Sequence, residues 1–148
     1  MTDESATAAA SAVIETADEN ERLVLENWAL GAAETGLFRE DSFTGTLHET
    51  GVWNEDLYWP LDKALFAIGE KYRAGARPNI LTRALFDLFV YIHGRLAWHR
   101  MPSDLSRISG FSDEDCQEWA ERVQFAFKAA LTGAAVKNEH FDRVNPLM

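Results

Sequence analysis

Residues 79–100 read NILTRALFDLFVYIHGRLAWHR. Placed at about 100° per residue on a helical wheel, Leu81, Ala84, Leu85, Leu88, Phe89, Ile92 and Leu96 lie side by side. Phe86, Val90 and Ala97 widen the apolar arc to roughly two thirds of the circumference. A helix apolar over that much of its surface has to be enclosed by other helices, so the spacing predicts the central helix of a bundle. The remaining positions, Arg83, Asp87, Tyr91 and Arg95, recur every fourth residue and stack on one face. Arg83 and Asp87 have the spacing of an i, i+4 ion pair.

The flanking segments carry the same period. Leu61, Ala64, Leu65, Ile68 and Tyr72 follow the i, i+3, i+4, i+7 rule. Pro60 suits the first turn of that helix, and Gly75 closes it. Asn79 is the expected N-cap of the central helix and Pro102 its stop. Ser112 caps the last long helix, whose first turn holds Asp113, Glu114 and Asp115, where the helix dipole favours acid. Cys116, Trp119, Ala120, Val123, Phe127, Ala130 and Leu131 form its stripe, and Gly133 ends it. Between these two helices, SDLSRIS (103–109) reads as a short helix broken by Gly110.

Upstream, Asp18 and Glu21 make a capping-box pair. They open a helix through Leu23, Val24, Trp28 and Leu30 that ends at Gly36. Residues 37–59 fit no helical period. Thr44, Gly45 and Gly51 are turn formers among short β-prone pieces, which predicts a long loop with a small hairpin. That loop holds Phe43, Trp53, Tyr58 and Trp59. Residues 1–16 have too little apolar bulk to offset the entropy of ordering, and read as a flexible, acidic, Ala-rich arm or a weak helix. The expected fold is all-α: an irregular bundle of four main helices plus one short helix, with the aromatic-rich loop between the first and second helices. Residues 17–148 form its single domain.

Charge narrows the function. The 148 residues carry 24 acids against 14 bases, a net charge of −10. Contacts to phosphate need Lys and Arg, so direct binding to nucleic acid or to an anionic membrane is not expected. The acids gather before residue 57 and over 104–128, whereas 62–100 is basic. The single Cys116 excludes an intramolecular disulfide and a multi-cysteine metal site. No apolar run of about 18 residues spans a membrane. The N-terminus lacks the positive region of a secretory signal, so the cytoplasm is the expected location.

No catalytic kit is visible. His93 falls inside the apolar arc between Phe86 and Phe89, where a packed core histidine is expected. His93 and His99 are six residues apart, on different faces, and no Glu-x-x-His occurs. His48 and His140 lie in irregular segments. Cys116 sits on an apolar stripe, where free cysteine is usually core. Gly-x-Ser-x-Gly, Walker and Rossmann patterns are absent. LSRISGFSDEDCQEWAERV has helix-turn-helix spacing, but its second helix sets five acids against Arg122 and would face a polyanion. No catalytic residue, cofactor or metal ligand is therefore expected. What remains is surface. Glu49, Trp53, Glu55 and Asp56 in the loop, with Asp113, Glu114, Glu118 and Glu121 on the last helix, are the expected partner-binding residues, since aromatics flanked by acid recur at interface hot spots.

Three blocks add a resemblance: DLYWPLDKALFAIGEKY (56–72), LFDLFVYIHGRLAWH (85–99) and DLSRISGFSDEDCQEWAERVQFAF (104–127). In this order, with Tyr58, Trp59, Leu61, Trp98, His99, Glu121 and Arg122, the chain resembles a small all-helical class of immunity proteins from bacterial polymorphic-toxin systems. The resemblance covers about half the chain. It implies a non-enzymatic protein that binds and neutralises a cognate toxin, and it implies no particular contact residue. The acidic charge fits a toxin with a basic surface, such as a nuclease. Two other readings stay open: a phage-type acidic inhibitor of a nucleic-acid-binding host protein, and a small helical enzyme using His93. So does a homodimer through Trp53 or Trp59.

Overall fold

A computed structural model describes residues 3–101 and 107–148. The chain is all-α, with no strand among the described residues, so the hairpin expected within 37–59 does not form. Seven α-helices occur there: α1 Asp3–Thr16, α2 Glu19–Glu26, α3 Ala32–Thr35, α4 Phe43–Thr50, α5 Glu55–Lys71, α6 Asn79–Trp98 and α7 Asp113–Thr132. The short helix expected over 103–109 rests largely on residues 102–106, which lie outside the described residues.

Helix α6 is central, packed mainly against α7 and α2. Its inner arc is as the wheel predicts: Leu81, Ala84, Leu85, Leu88, Ile92 and Leu96 are buried, and Phe89 packs on them. The edges of the arc differ. Phe86 and Val90 are 59% and 49% exposed, whereas Arg95 from the supposed polar face is only 9% exposed. With two main neighbours, α6 has one side left open, so the apolar arc is wider than the surface that gets covered. The expected Arg83–Asp87 pair does not form either. Arg83 forks to Glu34 at 3.1 Å for both bonds, and Asp87 accepts the Trp28 indole N–H at 2.8 Å.

Helices α5 and α7 make the most extensive contact of the bundle, with a close backbone approach at Gly69. A Cβ on Gly69 would stand 2.3 Å from the Ala129 carbonyl oxygen, so only glycine lets the two backbones touch. Gly69→Ala is expected to cost about 1–3 kcal/mol, the range of an overpacked core, read as a lower urea midpoint. An unchanged midpoint would contradict this packing.

The helix expected from Asp18 to Gly36 is interrupted. Its capping box forms, but α2 ends at Glu26. The Asn27 side chain turns back to the Leu23 carbonyl at 2.9 Å and accepts the Thr44 N–H at 3.0 Å. Trp28 then swings into the core, its ring lying so close to Gly31 that a Cβ there would be 2.1 Å away. A single 3₁₀ turn, Ala29–Gly31, leads into α3.

The stretch 37–59 is not one long loop. Ser42 caps α4 by accepting the Gly45 N–H at 3.2 Å, and Gly51 ends it in the left-handed region at φ 69°. Asn54 caps α5, which starts five residues before Pro60. Pro60 removes only the bond to Asp56, an exposed residue in the first turn, so the helix continues through it. At the other end α5 stops at Lys71, ahead of Gly75, and Pro78, not Asn79, is the N-cap of α6.

The aromatics of this stretch build the core. Phe43, Trp53, Tyr58, Trp59 and Trp119 pack with neighbouring ring centroids 4.9–5.4 Å apart. Trp53 and Trp59 are buried, so neither offers a dimer surface. The tail after α7 is aperiodic yet fixed. Asn145 is buried and donates to the Trp59 carbonyl at 3.0 Å and to Asp62 at 2.9 Å.

Candidate functional site

The departures from regular helix open a cleft of about 710 Å³ between the end of α2, helix α4 and helix α6. Trp28, Leu30, Phe38 and Leu88 supply apolar walls, while Glu40, His48, Glu49, Asp87 and Tyr91 supply polar groups. Each wall has a local cause. The Asn27–Thr44 link, closed by Thr44 Oγ1 donating to the Asn27 carbonyl at 2.6 Å, holds α4 against the break after α2. Gly45 lets the chain pass beneath α4, since a Cβ there would be 2.4 Å from the Glu40 carbonyl oxygen. The Trp28–Asp87 bond ties α2 to α6.

The lining holds three carboxylates and no lysine or arginine. Glu40 and Glu49 are exposed and have no cation partner among the described residues. The buried Tyr91 hydroxyl stands beside the Arg95 guanidinium and makes no well-formed hydrogen bond among the described residues. Burial holds its phenol above the ordinary tyrosine value, with the nearby Arg95 guanidinium acting in the opposite direction. The exposed cations nearby are already taken: Arg39 forks to Asp41 at 2.9 and 3.0 Å, and Arg83, over the Trp28 ring, is held by Glu34.

Of the residues singled out from the sequence, Glu49 lines the cleft. Trp53 does not reach the surface; it is 6% exposed, inside the aromatic core. Glu55 and Glu118, expected on separate surfaces, share Arg143, at 3.8 and 2.7 Å, together with Asp115 at 2.7 Å. The carboxylates of Asp56, Asp113, Glu114 and Glu121 are exposed without a cation partner among the described residues, although Arg100 donates to the Asp113 backbone carbonyl at 2.8 Å. Asp87 and Tyr91, expected on the polar face of the central helix, line the cleft with Glu40 and Trp28, which the sequence does not mark as site residues. Only the tertiary fold brings them together, Trp28 and Asp87 being 59 positions apart.

The Arg143 clamp makes a pH prediction. The Ser112 N–H, then the Ser112 hydroxyl and Arg143, hold the Asp115 carboxyl below its ordinary 3.8. A carboxyl depressed in the folded state adds stability above its unfolded value and loses it as pH falls through the folded value. Asp115→Asn should therefore lower stability at neutral pH and flatten the loss of stability below about pH 4. Parallel acid limbs for the variant and the wild type would contradict the clamp.

The other candidates have structural partners. His99 accepts the Ile108 N–H on Nδ1 at 2.8 Å and bonds the Phe111 carbonyl through Nε2 at 3.0 Å, which sets its tautomer. His93 is half-buried against the Phe89 ring, centroids 5.1 Å apart. Burial raises the Cys116 thiol above its ordinary value. No group of three His, Cys, Asp or Glu placed to hold a metal occurs among the described residues, and no helix there is long and apolar enough to cross a membrane. Comparison of the chain with protein-family profiles, curated proteins and solved structures finds no match.

Proposed function

We propose that the protein is a non-enzymatic neutraliser acting in the cytoplasm, binding a basic partner in the manner of an immunity protein of a bacterial polymorphic-toxin system. The observation that carries this reading is the charge of the cleft, whose lining holds three carboxylates and no lysine or arginine. Exposed carboxylates with no cation partner among the described residues, those of Glu40, Glu49, Asp56, Asp113, Glu114 and Glu121, project a negative field that speeds encounter with a basic surface. A toxin that acts on nucleic acid needs such a surface for its phosphate contacts, so a nuclease is the class whose working face this protein complements. Covering that face would stop the toxin without any chemistry by the neutraliser.

The test starts with the tagged protein drawn from its source cells at low and at high salt. The expected result is one stoichiometric partner resembling a toxin domain, held less well in salt. A strain lacking this protein should then die when the partner is expressed, and recover when the protein is restored. Normal growth of that strain under full expression of the partner would overturn the reading.

A further inference from the structure

We infer that the cleft seats a basic side chain, an arginine or lysine, presented on an apolar segment of the partner protein. The inference rests on the neutraliser reading for the partner, and on the geometry of the cleft for its chemistry. A long basic side chain has an apolar stem and a charged head. The cleft has the matching division. Trp28, Leu30, Phe38 and Leu88 line it for the stem. For the head, two acceptors have capacity to spare. Asp87 spends Oδ2 on the Trp28 indole, and Oδ1 takes no hydrogen bond from the described residues. The Tyr91 hydroxyl, beside the Arg95 guanidinium, makes no well-formed hydrogen bond among the described residues and keeps an oxygen lone pair. Glu40 and Glu49 add charge at the rim.

The positive groups near the cleft do not cancel this. Arg83 lies over Trp28 but is neutralised by Glu34. Arg95 stands beside the Tyr91 phenol, outside the lining, and is the one nearby guanidinium with no carboxylate among the described residues. Three carboxylates against it leave the site attractive to a cation.

The segment that carries the base also has somewhere to lie. The side of α6 that brings Asp87 to the cleft continues through Gly94 to Trp98, which is 45% exposed, with the exposed Val90 beside it. From Asp87 to Trp98 that face runs about 16 Å at 1.5 Å per residue, three helical turns of contact.

A short peptide alternating leucine and arginine, titrated into the isotope-labelled full chain, tests this directly. The same peptide with citrulline for arginine keeps the shape and removes the charge. The arginine peptide should shift the amide signals of Gly45, Leu88 and Tyr91, and the citrulline peptide should bind about tenfold more weakly or worse. Glu40→Gln with Glu49→Gln should weaken the arginine peptide by about tenfold, the sum of two exposed charge pairs. Equal binding of both peptides, no shift in the cleft, or shifts confined to Asp113, Glu114 and Glu121 would overturn the inference. The two proposals fail separately. A cleft that takes the arginine peptide while no toxin is captured sinks the toxin reading alone. A captured toxin bound equally well by the Glu40→Gln/Glu49→Gln variant sinks the anchor alone.

Discussion

Arg122→Met should destabilise the protein by about 3–5 kcal/mol, the cost of leaving a buried charge unpaired. Arg122 and Asp62 have fully buried side chains. Arg122 forks to the carboxylate, Nε to Oδ1 at 3.0 Å and a terminal nitrogen to Oδ2 at 2.5 Å. Around this pair the polar groups are satisfied. The Tyr58 hydroxyl donates to Oδ1 at 3.1 Å, Asn145 to Oδ2 at 2.9 Å, and the other Arg122 terminal nitrogen reaches Asn138 Oδ1 at 2.7 Å. Burial first, then the adjacent Asp62 charge, pushes the Tyr58 phenol well above the ordinary tyrosine range. The guanidinium also lies 5.2–5.6 Å from the ring centres of Trp59, Phe66 and Phe141. Methionine can replace that packing, but it leaves the Asp62 charge with neutral donors only. Adding Asp62→Asn should recover most of the loss, because the penalty is the unpaired charge and not the missing attraction. Urea unfolding of the two variants decides it. An Arg122→Met midpoint equal to wild type, or no recovery in the double variant, would contradict the assignment. Because this pair also holds Asn138 and Asn145, the single variant should expose the tail after α7 to protease.

Trp119→Ala comes next, at about 3–5 kcal/mol, the usual cost of emptying a buried indole site. Its ring is 1% exposed. It stands 5.0 Å from Trp53, 5.1 Å from Tyr58 and 4.9 Å from Trp59. Each such pair adds about 0.5–1.5 kcal/mol beyond buried area. Arg143 covers the ring, 5.5 Å from its centre, so the substitution also loosens the clamp on Glu118 and Asp115. The near-ultraviolet signal of the aromatic cluster should collapse along with stability. Trp98→Ala is the control: on an exposed face it should change stability by no more than about 0.5 kcal/mol. Equal losses at the two tryptophans would mean that the aromatic core is misplaced.

The elements legible in the sequence are those whose causes are local. The inner arc of α6, the stripe of α7, and the caps at Asp18 and Ser112 each depend on residues within a few turns of one another. The stretch 37–59 was opaque because FTGTLHET has poor helix formers. Helix α4 exists through the Ser42 cap, the burial of Phe43 and Leu47, and the left-handed Gly51. Likewise, the break after Glu26 needs Thr44, which lies 17 positions downstream of Asn27. The cleft follows from these two features, so it could not be read from periodicity. Glu49, expected on a contact surface because acid lies beside aromatics, lines the cleft. Trp53 was misplaced by the same logic, since a core tryptophan and a hot-spot tryptophan look alike in sequence. Asp87 and Tyr91 are marked only as a polar helix face, and Glu40 carries no local mark at all.

The central claim is that an acidic cleft holds a basic partner. The most direct measurement is the association rate of the captured partner against salt, for the wild type and for Glu40→Gln/Glu49→Gln. The account predicts a wild-type rate that falls steeply with salt, and a variant that binds more slowly and responds less to salt while unfolding at the same urea concentration. A variant with the wild-type rate and the wild-type salt dependence would contradict it.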